Sequence, residues 1–215
     1  MPLQNRVSPF GMIEAVSARG LFTGNRGIIH DPDTRTLRKR RWSAKAWIIC
    51  ECDFRGVRRE VMGRNGRTGG PGWTELFFLD EVTALAAGHR PCFHCRLQQA
   101  RAFARCFAAG QGRDRMQAAE IDAVLHRERR ASGGPVVRLN PGDLAAFPDG
   151  VMVEEAGRAC ALRGGRLLPW DFGGYHAPQI LGDDDGGEIT LITPPSSVAA
   201  LRQGYRPVWH PSAGT

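Results

Sequence analysis

The spacing of apolar residues predicts short strands and helices in the first two thirds of the chain. Runs rich in β-branched and aromatic residues, at residues 46–54 and 75–78, are typical of strands. At residues 96–109 and 115–130, apolar side chains recur three and four positions apart, which is the period of a helix with one buried face. We therefore expect strands and helices to alternate along this part of the chain.

The pattern changes after a stretch rich in glycine and proline at residues 131–148. From Val151 onward, short apolar pieces alternate with turn residues, which favours a small antiparallel sheet. We predict an α+β fold in three parts that can pack as one body. These parts are a first module of short strands and helices at residues 1–112, a helical connector at 113–140 and a β-rich C-terminal part at 141–215.

Two segments of the chain, residues 75–91 and 191–207, are similar to each other. Each has the pattern of a strand, a capped helix, a glycine that ends the helix, and Arg-Pro. In the first copy, Asp80 can cap the helix and Gly88 can adopt the left-handed conformation that ends it. Aligned on Gly88 and Gly204, six of the last ten positions are identical. The second copy has no cysteine, so it is either a duplicate that packs without metal or a chance reuse of a helix-ending pattern.

The spacing of two cysteines indicates a metal site. Cys92 and Cys95 form a CxxC pair between predicted helices, and two intervening residues let both sulfurs face one tetrahedral zinc ion. A redox-active pair at the start of a helix is the alternative. Cys106 and Cys160 have no cysteine or histidine close to them in sequence, so we expect both to pack in the core.

Cys50 and Cys52 supply a second pair of candidate ligands. They lie two residues apart in a predicted strand, where alternate side chains share one face, so both sulfurs can reach the ion at the CxxC pair. We therefore predict one Zn²⁺ ion held by four thiolates, those of Cys50, Cys52, Cys92 and Cys95. Either strand cysteine can instead be a core residue, and a histidine can replace one sulfur, the candidates being His30, His89 and His94.

Charge is distributed unevenly along the chain. The net charge of the whole chain is +7, but residues 1–140 carry +11 and residues 141–215 carry −4. This asymmetry predicts an acidic partner for the first part, DNA above all, and its alternative is a solvated basic surface. The predicted contacts to nucleic acid are Arg38, Lys39, Arg40, Arg41, Arg58, Arg90 and Arg96.

The N-terminal residues and the distribution of apolar residues bear on location. The chain of 215 residues has no run of eighteen apolar residues, so we expect no membrane span. Its first residues lack the basic start and apolar stretch of a signal peptide, which predicts a cytoplasmic protein. In that compartment the six cysteines are expected to be thiols or metal ligands rather than disulfides.

Residues 77–96, FFLDEVTALAAGHRPCFHCR, contain a Phe-Phe pair, a short predicted helix, Ala-Ala-Gly, Arg-Pro-Cys and a final Cys-Arg. With similar spacing, this segment resembles the end of the zinc-binding domain of the Ada DNA-repair proteins. Upstream, the segment from Trp47 to Cys50 is similar to the one that carries the family's first ligand. The resemblance covers residues 47–96, under a quarter of the chain, and its second half is the more specific.

The resemblance implies zinc, DNA and a role for Cys50. In the Ada family four cysteines hold zinc, and the first also accepts a methyl group from a DNA phosphotriester. Cys50 is by resemblance the candidate acceptor, and Cys92 and Cys95 are ligands. The family's second cysteine lies four residues after its first, where this chain has Phe54, whereas Cys52 lies two residues after Cys50. The resemblance therefore favours a zinc site more than methyl transfer.

Three hypotheses about function follow. The first is a zinc-stabilised protein that associates with DNA in repair or regulation. The second is a methyl-accepting repair protein that uses a zinc-bound Cys50. The third is an interaction module in which zinc is purely structural and the acidic C-terminal part binds another protein.

Overall fold

A computed structural model describes residues 1–56, 58–178 and 188–214. About 25% of the chain is helical and 22% lies in strands, and the strands form two six-stranded sheets and one hairpin. The predicted α+β class and the β-rich C-terminal part are therefore confirmed.

The first sheet is built from residues 6–91. Its strand order is β2-β1-β7-β3-β6-β8, in which β1 pairs with β7 and β6 pairs with β8 in parallel. A separate hairpin, β4-β5, precedes the four consecutive basic residues 38–41. These strands are β1 (Arg6–Val7), β2 (Ile13–Glu14), β3 (Phe22–Asn25), β4 (His30–Asp31), β5 (Thr36–Leu37), β6 (Ile48–Glu51), β7 (Leu76–Phe78) and β8 (Arg90–Pro91).

The second sheet is antiparallel throughout, with the order β13-β12-β11-β10-β14-β9. Gly164 and Gly165 connect β11 to β12 with φ angles of 56° and 71°, as a tight hairpin turn with two left-handed residues requires. The strands are β9 (Val137–Leu139), β10 (Met152–Glu155), β11 (Arg158–Arg163), β12 (Arg166–Asp171), β13 (Gly174–Tyr175) and β14 (Ile189–Leu191).

Four α-helices accompany the sheets in the described part of the chain. They are α1 (Glu81–Ala86), α2 (Leu97–Gly110), α3 (Ala118–Glu128) and α4 (Pro195–Arg202). Helix α3 begins three residues later than the apolar spacing predicts because Gln117 and Glu120 form a capping box at its start. Short 3₁₀ helices lie at Arg130–Ser132, Pro141–Ala146 and Pro211–Ala213.

Alternation along the strands gives the first sheet two different faces. Phe22, Ile49 and Phe78 point to one side, where they join a core that also contains Val198 and Leu201 of α4. Burial of each such side chain contributes roughly 1.5–3 kcal/mol. The residues that alternate with them, which include Phe77 and Cys50, lie on the opposite face. That opposite face carries the candidate site.

Helices α1 and α4 end in the same way, as the sequence repeat predicts. In each, a glycine with positive φ, 78° at Gly88 and 95° at Gly204, follows the helix and donates its N–H to a carbonyl three residues back. The next residue donates to the carbonyl five residues back, which completes a Schellman motif. These second bonds join His89 to Ala84 at 3.0 Å and Tyr205 to Ala200 at 3.1 Å.

The start of α1 binds the end of the chain. Asp80 caps α1 through the Thr83 N–H and also accepts bonds from the hydroxyl of Tyr175 and the amide of His210, at 2.9 and 3.0 Å. Glu81 is fully buried and accepts bonds from Tyr205 Oη at 2.6 Å and from the Val208 amide at 3.0 Å. Two buried carboxylates thus hold the segment that follows α4.

Candidate metal centre

Three cysteine sulfurs meet at the edge of the first sheet. The Sγ atoms of Cys50, Cys92 and Cys95 all lie within 4.8 Å of one another. Cys50 and Cys92 are buried, and Cys95 is half-buried. This group could hold a metal ion, which is the part of the predicted zinc site that the fold brings together.

Strand pairing explains why distant cysteines meet. Because β6 and β8 run in parallel with Pro91 opposite Ile49, the residue after Pro91 comes level with Cys50. The amide of Cys92 donates to the carbonyl of Ile49 at 2.9 Å, which fixes that register. The chain then turns towards α2 and brings Cys95 back to the same point. The Cys92 carbonyl accepts from the amide four residues on, at 3.0 Å.

Hydrogen bonds favour negative charge on Cys92 above the other two sulfurs. Cys92 Sγ accepts from the His94 amide at 3.3 Å, and the thiols of Cys50 and Cys95 lie close enough to act as further donors. These bonds hold the pKa of Cys92 well below its usual range, whereas donation to Cys92 and burial raise the pKa of Cys50. The Cys50 thiol and the Glu51 amide favour the Cys95 thiolate, but Cys92 and burial outweigh them and raise the pKa of Cys95. Donors of this kind are what a thiolate ligand needs.

The donor set fits a soft, tetrahedral ion. A zinc ion bound at about 2.3 Å places pairs of thiolate sulfurs about 3.8 Å apart, which lies inside the observed limit of 4.8 Å. Three thiolates occupy three positions and leave one for a fourth protein ligand, a water molecule or a substrate. The residues of this chain would supply charge and geometry, and the ion would supply Lewis acidity.

Cys52 does not join the group, which corrects its prediction as a ligand. Strand β6 ends at Glu51, so the alternation that would place Cys52 beside Cys50 stops one residue too early. The Cys52 side chain is exposed, and its Sγ lies 3.5 Å from the carbonyl oxygen of Leu21.

The three histidines considered as replacements have different surroundings. His30 is buried, and its Nδ1 lies 2.7 Å from Thr74 Oγ1. The Nε2 atom of His89 accepts from Arg26 at 3.2 Å, and burial holds the pKa of His89 well below its ordinary value. His94 is exposed, and its ring meets the ring of Phe54 edge-on at 5.2 Å. Of the three, His94 borders the cavity beside the sulfurs.

A cavity of about 570 Å³ opens over the three sulfurs on the exposed face of the first sheet. Its floor consists of strand residues, and its walls come from the loops on either side and from the CxxC turn. Arg59 reaches into it and donates to the carboxylate of Glu75 at 2.7 Å. The residues that line it include Asn25, Cys52, Phe54, Arg59, Trp73 and Phe77.

Two predicted contacts to nucleic acid are wrong, because Arg90 and Arg96 are buried in ion pairs. Arg90 donates from Nε and Nη2 to both carboxylate oxygens of Asp122 at 2.8 Å. Arg96 donates to both oxygens of Glu81 at 2.9 and 3.0 Å. Neither guanidinium is available to a phosphate, since each joins secondary-structure elements inside the protein. The remaining predicted contacts are exposed, namely Arg38, Lys39, Arg40, Arg41 and Arg58.

Sequence reasoning missed the residues that build the cavity. Glu75 and Phe77 share the face opposite Phe78, so the alternation at residues 75–78 contained the signal. A carboxylate such as that of Glu75, at the start of a short apolar strand, indicates a face that does not pack in an apolar core. Trp73 and Arg59 come from loops, and no local pattern predicted their meeting.

Comparisons of this chain with protein-family models, with curated proteins and with solved structures give no match. Within the described ranges, no helix combines the length and apolar character that crossing a bilayer demands.

Proposed function

We propose that this chain is a zinc protein that associates with DNA. The observation that carries the proposal is the meeting of Cys50, Cys92 and Cys95 below an open cavity in the basic part of the chain. Thiolate ligands in a tetrahedral set favour zinc over harder cations. These three cysteines are also the ones that the Ada resemblance marks as ligands, which supports the same assignment.

The DNA partner is proposed from charge and exposure. Residues 38–41 are four consecutive exposed basic residues, and they lead directly towards β6, the strand that carries Cys50. Guanidinium and ammonium groups on an exposed segment can contact phosphates without loss of a buried partner. We propose that this association with DNA serves DNA repair or regulation, as the resemblance to the Ada family implies.

Metal content tests the zinc site. Purified full-length protein is expected to contain one zinc per chain by mass spectrometry, and Cys92→Ser is expected to lose it. Cys106→Ser is the matched control, because Cys106 lies outside the group and its sulfur faces Gln203. His94→Ala shows whether His94 completes the site. Wild-type protein without metal, purified without chelator, would refute the proposal.

The salt dependence of binding tests the DNA partner. A variant with Arg38, Lys39, Arg40 and Arg41 changed to Gln is expected to bind duplex DNA more weakly and with a shallower salt slope, by about 0.9 for each phosphate that it no longer neutralises. The control changes four exposed arginines near the second sheet and α4: Arg158, Arg166, Arg202 and Arg206. Equal weakening in the two variants, or no binding of wild type at low salt, would exclude residues 38–41 as the DNA contact.

A second candidate function is methyl transfer to Cys50, because Cys50 lines the cavity as well as belonging to the thiol group. In this step the Cys50 sulfur attacks the methyl carbon of a phosphotriester. The S–C bond forms, the O–C bond breaks, and the phosphate oxygen keeps the electron pair. Incubation with methylated DNA is expected to add one methyl group to Cys50, seen by mass spectrometry of peptides. An unmodified Cys50 in zinc-loaded protein would exclude methyl transfer and leave the binding function in place.

A further inference from the structure

The cavity lies along a row of residues that crosses four strands of the first sheet. Arg6 on β1 is opposite Phe77 on β7, Phe77 is opposite Thr23 on β3, and Thr23 is opposite Cys50 on β6. With about 4.8 Å between neighbouring strands, this row spans roughly 14 Å. One end of it carries a guanidinium and the other carries the thiol group. The cavity covers the row from Phe77 to Cys50, and Arg6 lies beside it, over the ring of Phe77.

Three aromatic rings that line the cavity are each covered by an arginine, and Arg59 also lines the cavity itself. The guanidinium carbon lies 4.2–5.0 Å from the ring centroid in the pairs Arg59 with Trp73, Arg6 with Phe77, and Arg55 with Phe54. Stacked pairs of this kind offer flat faces and positive charge at the same place. Both aromatic rings and guanidinium planes stack on nucleobases, and guanidinium groups also bind phosphate.

Two polar groups of the cavity can donate hydrogen bonds to acceptor atoms of a ligand. Arg59 Nη2 is buried and has no hydrogen-bond partner among the residues that the structure describes. Buried donors of this kind normally find an acceptor. The Oδ1 atom of Asn25 accepts from the Gly27 amide at 3.1 Å, so the NH₂ group of the same side chain is the part that can face a ligand. An amide in this position can read the edge of a base.

The geometry points to a nucleotide as the ligand of this cavity. Its base lies against the aromatic rings with its edge towards Asn25, and its phosphate accepts from Arg59, the arginine that lines the cavity. The volume of about 570 Å³ falls within the range of roughly 300–1,000 Å³ that small-ligand sites occupy. The inference rests on the proposed function, since the nucleotide is either extruded from a bound strand or free in solution.

The alkylation rates of two cysteines can show whether the cavity is occupied. Cys52 lines the cavity but lies outside the thiol group, whereas Cys106 is half-buried and remote from the cavity. In zinc-loaded full-length protein, alkylation of both residues by N-ethylmaleimide can be followed by mass spectrometry. A nucleotide at ten times its Kd is expected to slow labelling of Cys52 about tenfold, by mass action, without changing the rate at Cys106.

Three probes separate the sources of the ligand. Protection by adenosine 5′-monophosphate indicates a free nucleotide, and protection by a single-stranded oligonucleotide alone indicates an extruded one. Either result supports the inference. Equal protection by inorganic phosphate would overturn it, since the base would then contribute nothing. Labelling of Cys52 that no probe slows, up to millimolar nucleotide, would overturn it as well.

A pair of variants tests the aromatic walls. Phe54→Ala is expected to weaken nucleotide binding about fivefold or more, because one stacked ring is removed. Phe172→Ala removes a similar half-exposed ring from the second sheet and is expected to change nothing. Equal affinity of the two variants would refute a stacked base. Zinc content and duplex binding are measured in parallel: their loss in wild type counts against the proposed function, and their retention without Cys52 protection counts against this inference alone.

Discussion

After Gly88 and after Gly204 the chain makes the same turn, yet different chemistry holds the two segments that follow. After α1, the chain continues through β8 to the thiol group of Cys50, Cys92 and Cys95. Behind α4, the chain lies against the buried carboxylates of Asp80 and Glu81, to which the amides of residues 210 and 208 donate. A helix-ending motif directs the chain, and a separate set of contacts must then fix it. The first segment is held by strand pairing and leads to three sulfurs that could bind a metal ion, whereas the second is held by carboxylate oxygens.

The comparison also shows that the copies depend on each other. The carboxylates that hold the second copy stand at the start of the first copy's helix. Glu81 in turn pairs with Arg96, the residue that follows the CxxC pair. Loss of the Glu81 carboxylate should therefore destabilise both segments, whereas loss of the Cys92 sulfur should affect the first segment alone. The following changes test that expectation, from the largest effect to the smallest.

Glu81→Gln is expected to have the largest effect, a loss of about 3–5 kcal/mol in the free energy of unfolding. The substitution keeps the shape of the side chain but leaves the buried guanidinium of Arg96 with Glu51 as its remaining acidic partner. Urea unfolding measures the loss. Tyr205→Phe removes a single bond to the same carboxylate and should cost only about 1–3 kcal/mol. Equal costs would mean that the charge of Glu81 is not what anchors the second copy.

Zinc should stabilise the protein through the first copy alone. At a free zinc concentration about one hundred times its Kd, a folded-state site adds about 2.7 kcal/mol to the free energy of unfolding. Cys92→Ser is expected to abolish this dependence on zinc, and Glu81→Gln is expected to retain it. A zinc response that survives in Cys92→Ser would place the stabilising ion elsewhere.

The two glycine stops should differ in their tolerance of a side chain. Gly204→Ala places a Cβ in open space, so it should cost only the left-handed conformation, about 1–2 kcal/mol. At Gly88 an added Cβ would lie 2.6 Å from Cβ of Arg129, which is buried, so Gly88→Ala should cost more by about 1 kcal/mol or above. Thermal unfolding of the pair checks this order. A reversed order would show that Arg129 moves aside freely.

A fall in pH should change the stability contributed by His89, which follows Gly88, but not that contributed by Tyr205, which follows Gly204. Burial, together with Arg26 and Arg129, holds the pKa of His89 well below its ordinary 6.5, whereas burial raises the pKa of Tyr205. The folded protein keeps His89 neutral while the unfolded chain binds a proton. The stability from His89 is thus complete above pH 6.5 and is lost as the pH falls, by at most about 1.4 kcal/mol per pH unit.

Urea unfolding between pH 7 and 5, at constant zinc, measures that slope. His89→Gln retains an acceptor for Arg26 but does not titrate, so its slope should be shallower than that of wild type. Tyr205→Phe keeps His89 and should retain the wild-type slope. Identical slopes in wild type and His89→Gln would mean that acid acts through other groups.

Much of the metal centre could be predicted from the sequence, because its signals are local. CxxC spacing and a strand of β-formers identified Cys92, Cys95 and Cys50. The prediction failed for Cys52 because a strand boundary lies one residue before it, and boundaries depend on pairing with other strands. Fold class was predictable for a similar reason, since it rests on the period of apolar residues over many positions.

The arginines show why the rest could not be predicted. Arg90 and Arg96 flank the CxxC pair and have the same local sequence character as exposed phosphate contacts. Their roles are decided by Asp122 and Glu81, which lie 32 and 15 residues away along the chain. The cavity likewise combines strand and loop residues that only tertiary structure brings together. A single sequence contains no local mark of such partners.

The bond between Tyr205 and Glu81 has a consequence for synthesis on the ribosome. The two residues are 124 positions apart, so Glu81 emerges long before its partner is made. At roughly 5–20 residues per second, the interval is on the order of ten seconds. During that time the early half of the chain can bring Cys50, Cys92 and Cys95 together, but its buried carboxylates still lack the last segment. Translation therefore sets the order of events: the thiol group can form first, and closure of the structure waits for the final residues.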